Sequence, residues 1–74
     1  MKTYAVNYKT SFVNRIYVIA AESETQAIAI CRFENRYIED DRTYRLPDSS
    51  DFSSQLIEGV TSRKEGVKSK LFYN

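Results

Sequence analysis

Few side chains in this sequence of 74 residues could carry out chemistry. It contains no histidine and one cysteine, Cys31, so it offers no catalytic triad, no histidine general base and no closed zinc site. The acidic pairs Asp40/Asp41 and Asp48/Asp51 stand in polar stretches and lack both the arrangement of catalytic carboxylates and the spacing of an EF-hand. Its two glycines belong to no phosphate-binding motif. We therefore expect a protein that is not an enzyme and uses neither a metal nor a cofactor.

The composition is that of an ordinary globular chain. Hydrophobic residues make up 42% and charged residues 28%, with a formal net charge of +1. There is no apolar run near about 18 residues and no charged-then-apolar leader. We therefore expect a single domain over 1–74, without a membrane span, in the cytoplasm. A lone cysteine is typical of a reducing compartment, and we expect Cys31 to be a small buried hydrophobe rather than a reactive thiol.

Charge is distributed unevenly along the chain. Residues 33–51 carry six acids and three arginines, whereas residues 61–74 carry four basic residues and one acid. Such a separation can orient a protein toward a charged partner, although charges placed only for solubility give the same pattern. The near-neutral total disfavours both a strongly acidic mimic of DNA and a dedicated nonspecific DNA-binding protein.

Alternating apolar residues predict two opening strands. Tyr4, Val6 and Tyr8 alternate with polar or small residues over 2–9, which is the period of a strand with one buried face. Residues 15–21 are rich in β-branched and aromatic types and are apolar on both faces, so this strand should be central in its sheet. The short polar connector between the two strands favours a hairpin.

A capping signal begins the one helix that the sequence predicts. Ser23 can cap the first turn while Gln26 reaches back to the Ser23 N–H, and the helix is predicted from Glu24 to position 36 or 37. Its predicted apolar face consists of Ala27, Ala29, Ile30, Phe33, Tyr37 and Ile38. Its predicted polar face consists of Thr25, Arg32, Asn35 and Arg36. Because Ile28 falls on this polar face, we expect it to be largely exposed and available to a partner.

The second half of the chain predicts an irregular segment followed by two strands. We expect residues 39–54 to be irregular and mobile, with a short edge strand around Tyr44 and Leu46 that ends at Pro47. Strand patterns resume over 55–62 and 67–73, and the turn between them predicts a C-terminal hairpin. The order β-β-α-β-β implies an α+β fold with an antiparallel sheet of about four strands and one helix packed on one face. The uncovered face should be polar, tyrosine-lined or used for binding.

Six tyrosines make this chain rich in a residue type that is frequent at protein interfaces. The candidate partner-binding residues are Ile28, Glu39, Asp40, Asp41, Tyr44, Tyr4 and Tyr8. An alternative function is nucleic-acid binding through the basic C-terminal hairpin, with the candidates Arg63, Lys64, Lys68 and Lys70. A third possibility is a structural homodimer in which an exposed strand edge pairs with itself.

The opening of the chain resembles small phage and mobile-element proteins. The resemblance is carried by residues 2–6 and by the run from Tyr17 to Ala27, in which a hairpin strand leads into an A-E-S-x-x-x-A helix start. In size and layout the chain is similar to single-domain anti-CRISPR inhibitors that have one helix on an antiparallel sheet. This resemblance implies a phage-encoded inhibitor, monomeric or homodimeric, that occupies the surface of a host protein or ribonucleoprotein complex. It carries over no functional residue, because those inhibitors share no common motif.

Overall fold

A four-stranded antiparallel sheet with one helix on one face forms the body of the protein. The computed structural model describes residues 1–73, without the side chain of Tyr73. The main elements are the strands β1 (Lys2–Lys9), β2 (Asn14–Ala21), β5 (Phe52–Thr61) and β6 (Gly66–Tyr73) and the helix α1 (Glu24–Glu34). Two short strands, β3 (Tyr37–Ile38) and β4 (Tyr44–Arg45), form a separate ribbon, and a 3-10 turn covers Ser49–Asp51. The predicted α+β class, with four strands and one helix, is confirmed.

The sheet has the strand order β5-β1-β2-β6, with the β1–β2 hairpin in the centre. The predicted C-terminal hairpin is wrong, because β5 pairs with β1 and β6 pairs with β2 at opposite edges. The connection between them passes the open end of the central hairpin, opposite its turn. There the Met1 ammonium donates to the Ser62 carbonyl at 2.8 Å and the Ser62 N–H donates to the Met1 carbonyl. Both central strands thereby obtain two neighbours, which satisfies their backbone groups on both sides.

The core lies between the sheet and the helix. Strands β1 and β2 present alternate residues to α1, as the period of two predicts, and these side chains are buried. The cluster consists of Tyr4, Val6, Tyr8, Tyr17, Ile19, Ala21, Ala27, Cys31 and Phe52. Cys31 has no exposed surface, which confirms the prediction of a buried small hydrophobe. The Phe52 ring stacks on the Tyr8 ring with centroids 4.4 Å apart, so the start of β5 is fastened to the centre of the sheet.

The helix begins where the sequence predicts and ends earlier. The Ser23 hydroxyl accepts a hydrogen bond from the Gln26 N–H at 3.2 Å, so the predicted cap is present. The Gln26 side chain reaches back one residue further than expected, since its Oε1 accepts from the Glu22 N–H at 2.6 Å. The helix ends at Glu34, because Asn35 leaves helical geometry and caps the last turn with its own N–H.

The buried side of the helix differs from the predicted one. Ala27 and Cys31 are fully buried and Asn35 is only 8% exposed, so the buried line follows the spacing i, i+4, i+8. Ile28 is half-buried and packs against the core, so the prediction that it is largely exposed is wrong. Phe33, expected in the core, is 46% exposed. The physical cause lies in Asn35, whose hydrogen bonds to β2 turn this side of the helix toward the sheet.

The segment 39–54 contains the predicted short strand near Tyr44, which is β4 and pairs with β3 rather than with the main sheet. It also contains the 3-10 turn, which the sequence does not predict and which is capped by Asp48, whose Oδ1 accepts from the Ser50 N–H at 2.9 Å. Strand β5 begins at Phe52 rather than at Gln55, because the stacked Phe52 ring extends the pairing with β1. Mobility of this segment stays a prediction.

The sheet face opposite the helix is uncharged in its centre. Register places Ala5, Asn7, Ile16, Val18 and Leu71 on it, so among the side chains described, residues 1–72, it is a mixed apolar and amide surface without tyrosine. A shallow cavity of about 280 Å³ lies here, lined in part by Asn7, whose buried Oδ1 has no hydrogen-bond partner within the described chain.

Candidate protein-binding patch

A two-stranded ribbon projects beyond the C-terminal end of the helix. Strand β3 pairs with β4 so that Tyr37 faces Arg45 and Ile38 faces Tyr44. The turn between the strands is closed by Asp40, whose Oδ1 accepts from the backbone N–H groups of Arg42 at 2.8 Å and Thr43 at 3.0 Å. An aspartate in this position is a common local signal for a turn, and here it fixes the tip of the ribbon.

Three contacts fasten the ribbon to the body of the protein. The Tyr37 hydroxyl lies 3.2 Å from the hydroxyl of the core residue Tyr8. The rings of Phe33 and Tyr44 meet edge to face with centroids 5.7 Å apart. Beyond β4, Arg32 Nε donates to the carbonyl oxygen of Pro47 at 2.8 Å. Because helix and sheet both hold it, the ribbon has a defined position although its strands have only two residues each.

A buried amide supports the base of the ribbon. Asn35 Oδ1 accepts from the hydroxyl of Tyr17 at 3.1 Å and from Nη1 of Arg15, while its Nδ2 donates to the carbonyl of Cys31 at 2.8 Å. Every polar atom of this side chain therefore has a partner in β2 or in the last helical turn. Asn35 thus determines both where the helix ends and where the chain leaves toward β3.

Exposed aromatic and aliphatic side chains cluster on this structure. The exposed fractions are 46% for Phe33, 53% for Tyr37, 69% for Ile38 and 53% for Tyr44. The Arg36 guanidinium lies 4.2 Å from the centre of the Phe33 ring, in a cation–π contact. We name these five residues the ribbon patch. Tyrosine and arginine are frequent hot-spot residues, and phenylalanine is also enriched in the centres of protein interfaces.

Acidic residues lie beside the ribbon patch, at the tip of the turn. Glu39 Oε1 pairs with Nε of Arg45 at 3.0 Å, and both side chains are well exposed. The hydrogen bonds from Arg42 and Thr43 hold the pKa of the Asp40 carboxyl below its usual range. Asp40 therefore stays ionised at the tip, where the exposed Asp41 and Arg42 follow it next to the aromatic side chains. An apolar centre with a charged border is the usual composition of a protein-binding surface.

The structure separates the predicted partner-binding residues into two groups. Glu39, Asp40, Asp41 and Tyr44 lie together on the ribbon. The other three predicted residues do not belong to this surface. Tyr4 and Tyr8 are 6% and 3% exposed in the core, so burial removes them as contact residues, and Ile28 packs half-buried on the helix.

Sequence reasoning misses most of the ribbon patch. Phe33, Tyr37 and Ile38 have the right spacing for the buried face of a longer helix, and Arg36 falls on the polar face of that helix. Once the helix ends at Asn35, the same residues fall on the last turn and the ribbon and are exposed. The local signal is the asparagine itself, a residue type that commonly ends helices.

The predicted nucleic-acid-binding residues lie elsewhere. Arg63 and Lys64 are exposed in the connection between β5 and β6, next to the end of the central hairpin. Lys68 and Lys70 lie along the edge strand β6, where Lys70 Nζ is 3.8 Å from Glu34 Oε1. The four cations therefore extend along one edge and one connection, rather than on the two sides of a hairpin.

The reactive groups of the described residues are few. Burial raises the pKa of the Cys31 thiol to about 12, with the nearby Glu34 adding to the effect, so the thiol is protonated and inaccessible at neutral pH. Within residues 1–73, no three cysteine or acidic side chains lie close enough to hold a metal ion. No helix in the described chain has the length and apolar character needed to span a membrane.

Comparison with protein-family models, with curated proteins and with solved structures finds no match for this chain. The fold and the ribbon patch are thus the observations from which its function is inferred.

Proposed function

We propose that this protein is a non-enzymatic protein-binding module that acts by occupying the surface of a partner through the ribbon patch. The observation that carries the proposal is that Phe33, Ile38 and Tyr44, each at least 46% exposed, adjoin one another on the last helical turn and on a ribbon fastened at three points. Burying such side chains on a partner is favourable by about 25 cal/mol for each Å² of apolar surface. Because the ribbon is held in place before binding, little ordering entropy opposes association.

The partner class follows from the charge beside the ribbon patch. Over residues 39–45 the three acids Glu39, Asp40 and Asp41 outnumber two arginines, which leaves the tip of the ribbon a net charge of −1. Host nucleases, including CRISPR effectors, have nucleic-acid channels lined with lysine and arginine, and an acidic tip is complementary to such a channel. Together with the resemblance to small phage inhibitors, this supports an anti-defence protein whose target is a host protein or ribonucleoprotein complex.

Site-specific photo-crosslinking tests the protein-binding proposal and captures the partner in the same step. A photoreactive phenylalanine analogue is placed at position 44 in the ribbon patch and, as the matched control, at position 12. Phe12 is 90% exposed and lies in the β1–β2 turn, outside the ribbon patch. After irradiation in bacterial cells that carry a CRISPR system, we expect a discrete protein adduct from position 44 and none from position 12.

The same experiment can contradict the proposal. Equal labelling from positions 12 and 44 would show nonspecific contact, and absence of any adduct at 44 would remove the ribbon patch as a contact surface. In a third variant the analogue is placed at position 72, beside Lys70. Adducts to nucleic acid from this position would support the alternative function, nucleic-acid binding along β6. The anti-defence part is tested separately by phage plating, where expression of the chain should raise plaque numbers on defended cells only.

A further inference from the structure

The two edges of the main sheet differ in their protection against pairing with another strand. Among residues 1–73, β5 and β6 each have a neighbouring strand on one side only. Strand β6 carries Lys68 and Lys70 and has a register irregularity opposite Val18 and Ile19. Lysines and bulges are the usual features that keep an edge strand from pairing with another chain.

Strand β5 has neither feature in its first half. Residues 52–57 pair with β1 without a register shift, and the run Phe-Ser-Ser-Gln-Leu-Ile contains no charged residue and no proline. Ser53, Gln55 and Leu56 are exposed. Only after Ile57 does the strand become irregular, where Gly59 takes a φ of +79°. A straight, uncharged edge of six residues is therefore presented to solvent.

We propose that this edge of β5 pairs with the β5 edge of a second copy of the chain, forming an antiparallel dimer through a continuous eight-stranded sheet. A two-fold axis at Gln55 places Gln55 opposite Gln55, where the two amides can bond to each other. The same axis places Ser54 opposite Leu56 and Phe52 opposite Glu58, so no acid faces an acid. The corresponding pairing of β6 about Ser69 would place Lys68 opposite Lys70 in both halves, which is repulsive.

This self-complementarity identifies the partner of the β5 edge as a second copy of the chain. The two-fold pairing uses the same residues of β5 on both chains, as a symmetric interface requires. No residue of the ribbon patch belongs to β5, so the strand pairing itself uses none of them.

Charge-swap variants test the dimer. The variants Gln55→Glu and Gln55→Lys place like charges on the two-fold axis, and Ser69→Glu and Ser69→Lys are matched controls on the β6 edge. Sedimentation equilibrium over a concentration series that brackets about 100 μM reports the mass of each variant. We expect wild type and both Ser69 variants to approach twice the 8.6 kDa chain mass. Each Gln55 variant alone should stay at the chain mass, and an equimolar mixture of the two should restore the dimer.

Each other outcome overturns the proposal. A wild-type chain that stays monomeric through the series contradicts it directly. So does a loss of dimer in the Ser69 controls equal to that in the Gln55 variants, or a mixture that stays monomeric. If a Gln55 variant fails to fold, amide hydrogen exchange on the wild type decides. Exchange in residues 53–57 should slow as concentration rises while exchange in β6 does not, and equal behaviour of the two strands refutes the dimer.

Discussion

The tyrosines of the sheet and the tyrosines of the ribbon have the same side chain in opposite environments. Tyr4, Tyr8 and Tyr17 are between 1% and 6% exposed and fill the layer between sheet and helix. Tyr37 and Tyr44 are each 53% exposed on the ribbon. The sheet tyrosines alternate along strands that a helix covers, whereas the ribbon tyrosines meet the body of the protein through single contacts, Tyr44 with Phe33 and Tyr37 with Tyr8. A tyrosine-rich composition therefore does not identify an interface until the covered strands are known.

The difference predicts that stability and binding depend on different tyrosines. The buried rings contribute area removed from water and fixed hydrogen bonds, so their loss should lower the free energy of unfolding. The ribbon rings are each about half exposed, so their loss should lower the free energy of unfolding less than loss of the buried rings and should reduce binding.

The largest loss of stability is expected on substitution of Tyr17, which is 1% exposed and whose hydroxyl donates to Asn35 Oδ1. Tyr17→Ala leaves a cavity in the core and should reduce the free energy of unfolding by about 3–5 kcal/mol, as measured by urea denaturation. Tyr17→Phe keeps the ring and removes one hydrogen bond, so its cost should be about 1 kcal/mol. Equal costs for the two variants would show that packing of the ring contributes nothing.

The next largest loss of stability is expected on substitution of Asn35, which connects the core to the ribbon. Asn35→Ala removes the acceptor for Arg15 and for the Tyr17 hydroxyl, and should cost about 2 kcal/mol in the same denaturation experiment. Asn35→Asp keeps the acceptor for Arg15 and Tyr17 and loses the donor to the Cys31 carbonyl, so it should recover only part of the lost stability. An Asn35→Ala protein as stable as the wild type would contradict the assigned role of this amide.

The dependence of stability on pH tests whether the Cys31 thiol is buried in the core. The pKa of Cys31 rises from 9.0 to about 12 on folding because the thiol is buried. The folded state therefore keeps a proton that the unfolded state loses, so stability is intact below pH 9 and falls as the pH rises from 9 toward 12. Tyr8, with a pKa raised to about 12 by burial and by its bond to Tyr37, adds to the fall above pH 10.

The control for this titration is Cys31→Ala. Its stability, lower overall because of the lost packing, should fall less steeply than that of the wild type between about pH 9 and 10. An identical slope in the wild type and in Cys31→Ala over that interval would show that the thiol is not buried in solution.

Charge reversal should give the smallest effect on folding and a measurable one on association. Asp41→Lys is chosen because Asp41 is exposed, whereas Asp40 closes the turn of the ribbon. It should slow association with the crosslinked partner and leave stability within about 0.5 kcal/mol. Lys68→Glu on β6 is the matched reversal and should change association less. A larger effect of Lys68→Glu would favour the nucleic-acid function, above all if it also reduced the salt dependence of binding.

The sheet and helix of this fold are predictable from the sequence because the sequence patterns that indicate them are local and repeated. Alternation in β1 and β2 and the Ser23 cap each rest on several neighbouring residues that agree. The positions of β5 and β6 at opposite edges of the sheet could not be predicted, because two strands joined by a short turn ordinarily pair with each other as a hairpin. The ribbon patch escapes prediction because the spacing of Phe33, Tyr37 and Ile38 continues a helix. A single asparagine, Asn35, is the local signal against it, and its bonds to β2 cannot be inferred from the sequence.

The most direct test of the central claim pairs two measurements on Tyr44→Ala, with Tyr44→Phe as the control that keeps the ring. The partner identified by crosslinking is titrated against each variant, and the free energy of unfolding is measured on the same preparations. We expect Tyr44→Ala to bind at least about tenfold more weakly while its stability changes by less than about 1 kcal/mol, and Tyr44→Phe to bind nearly as the wild type. Unchanged binding by Tyr44→Ala, or a loss that appears only with a matching loss of stability, would contradict the assignment of the ribbon patch as the contact surface.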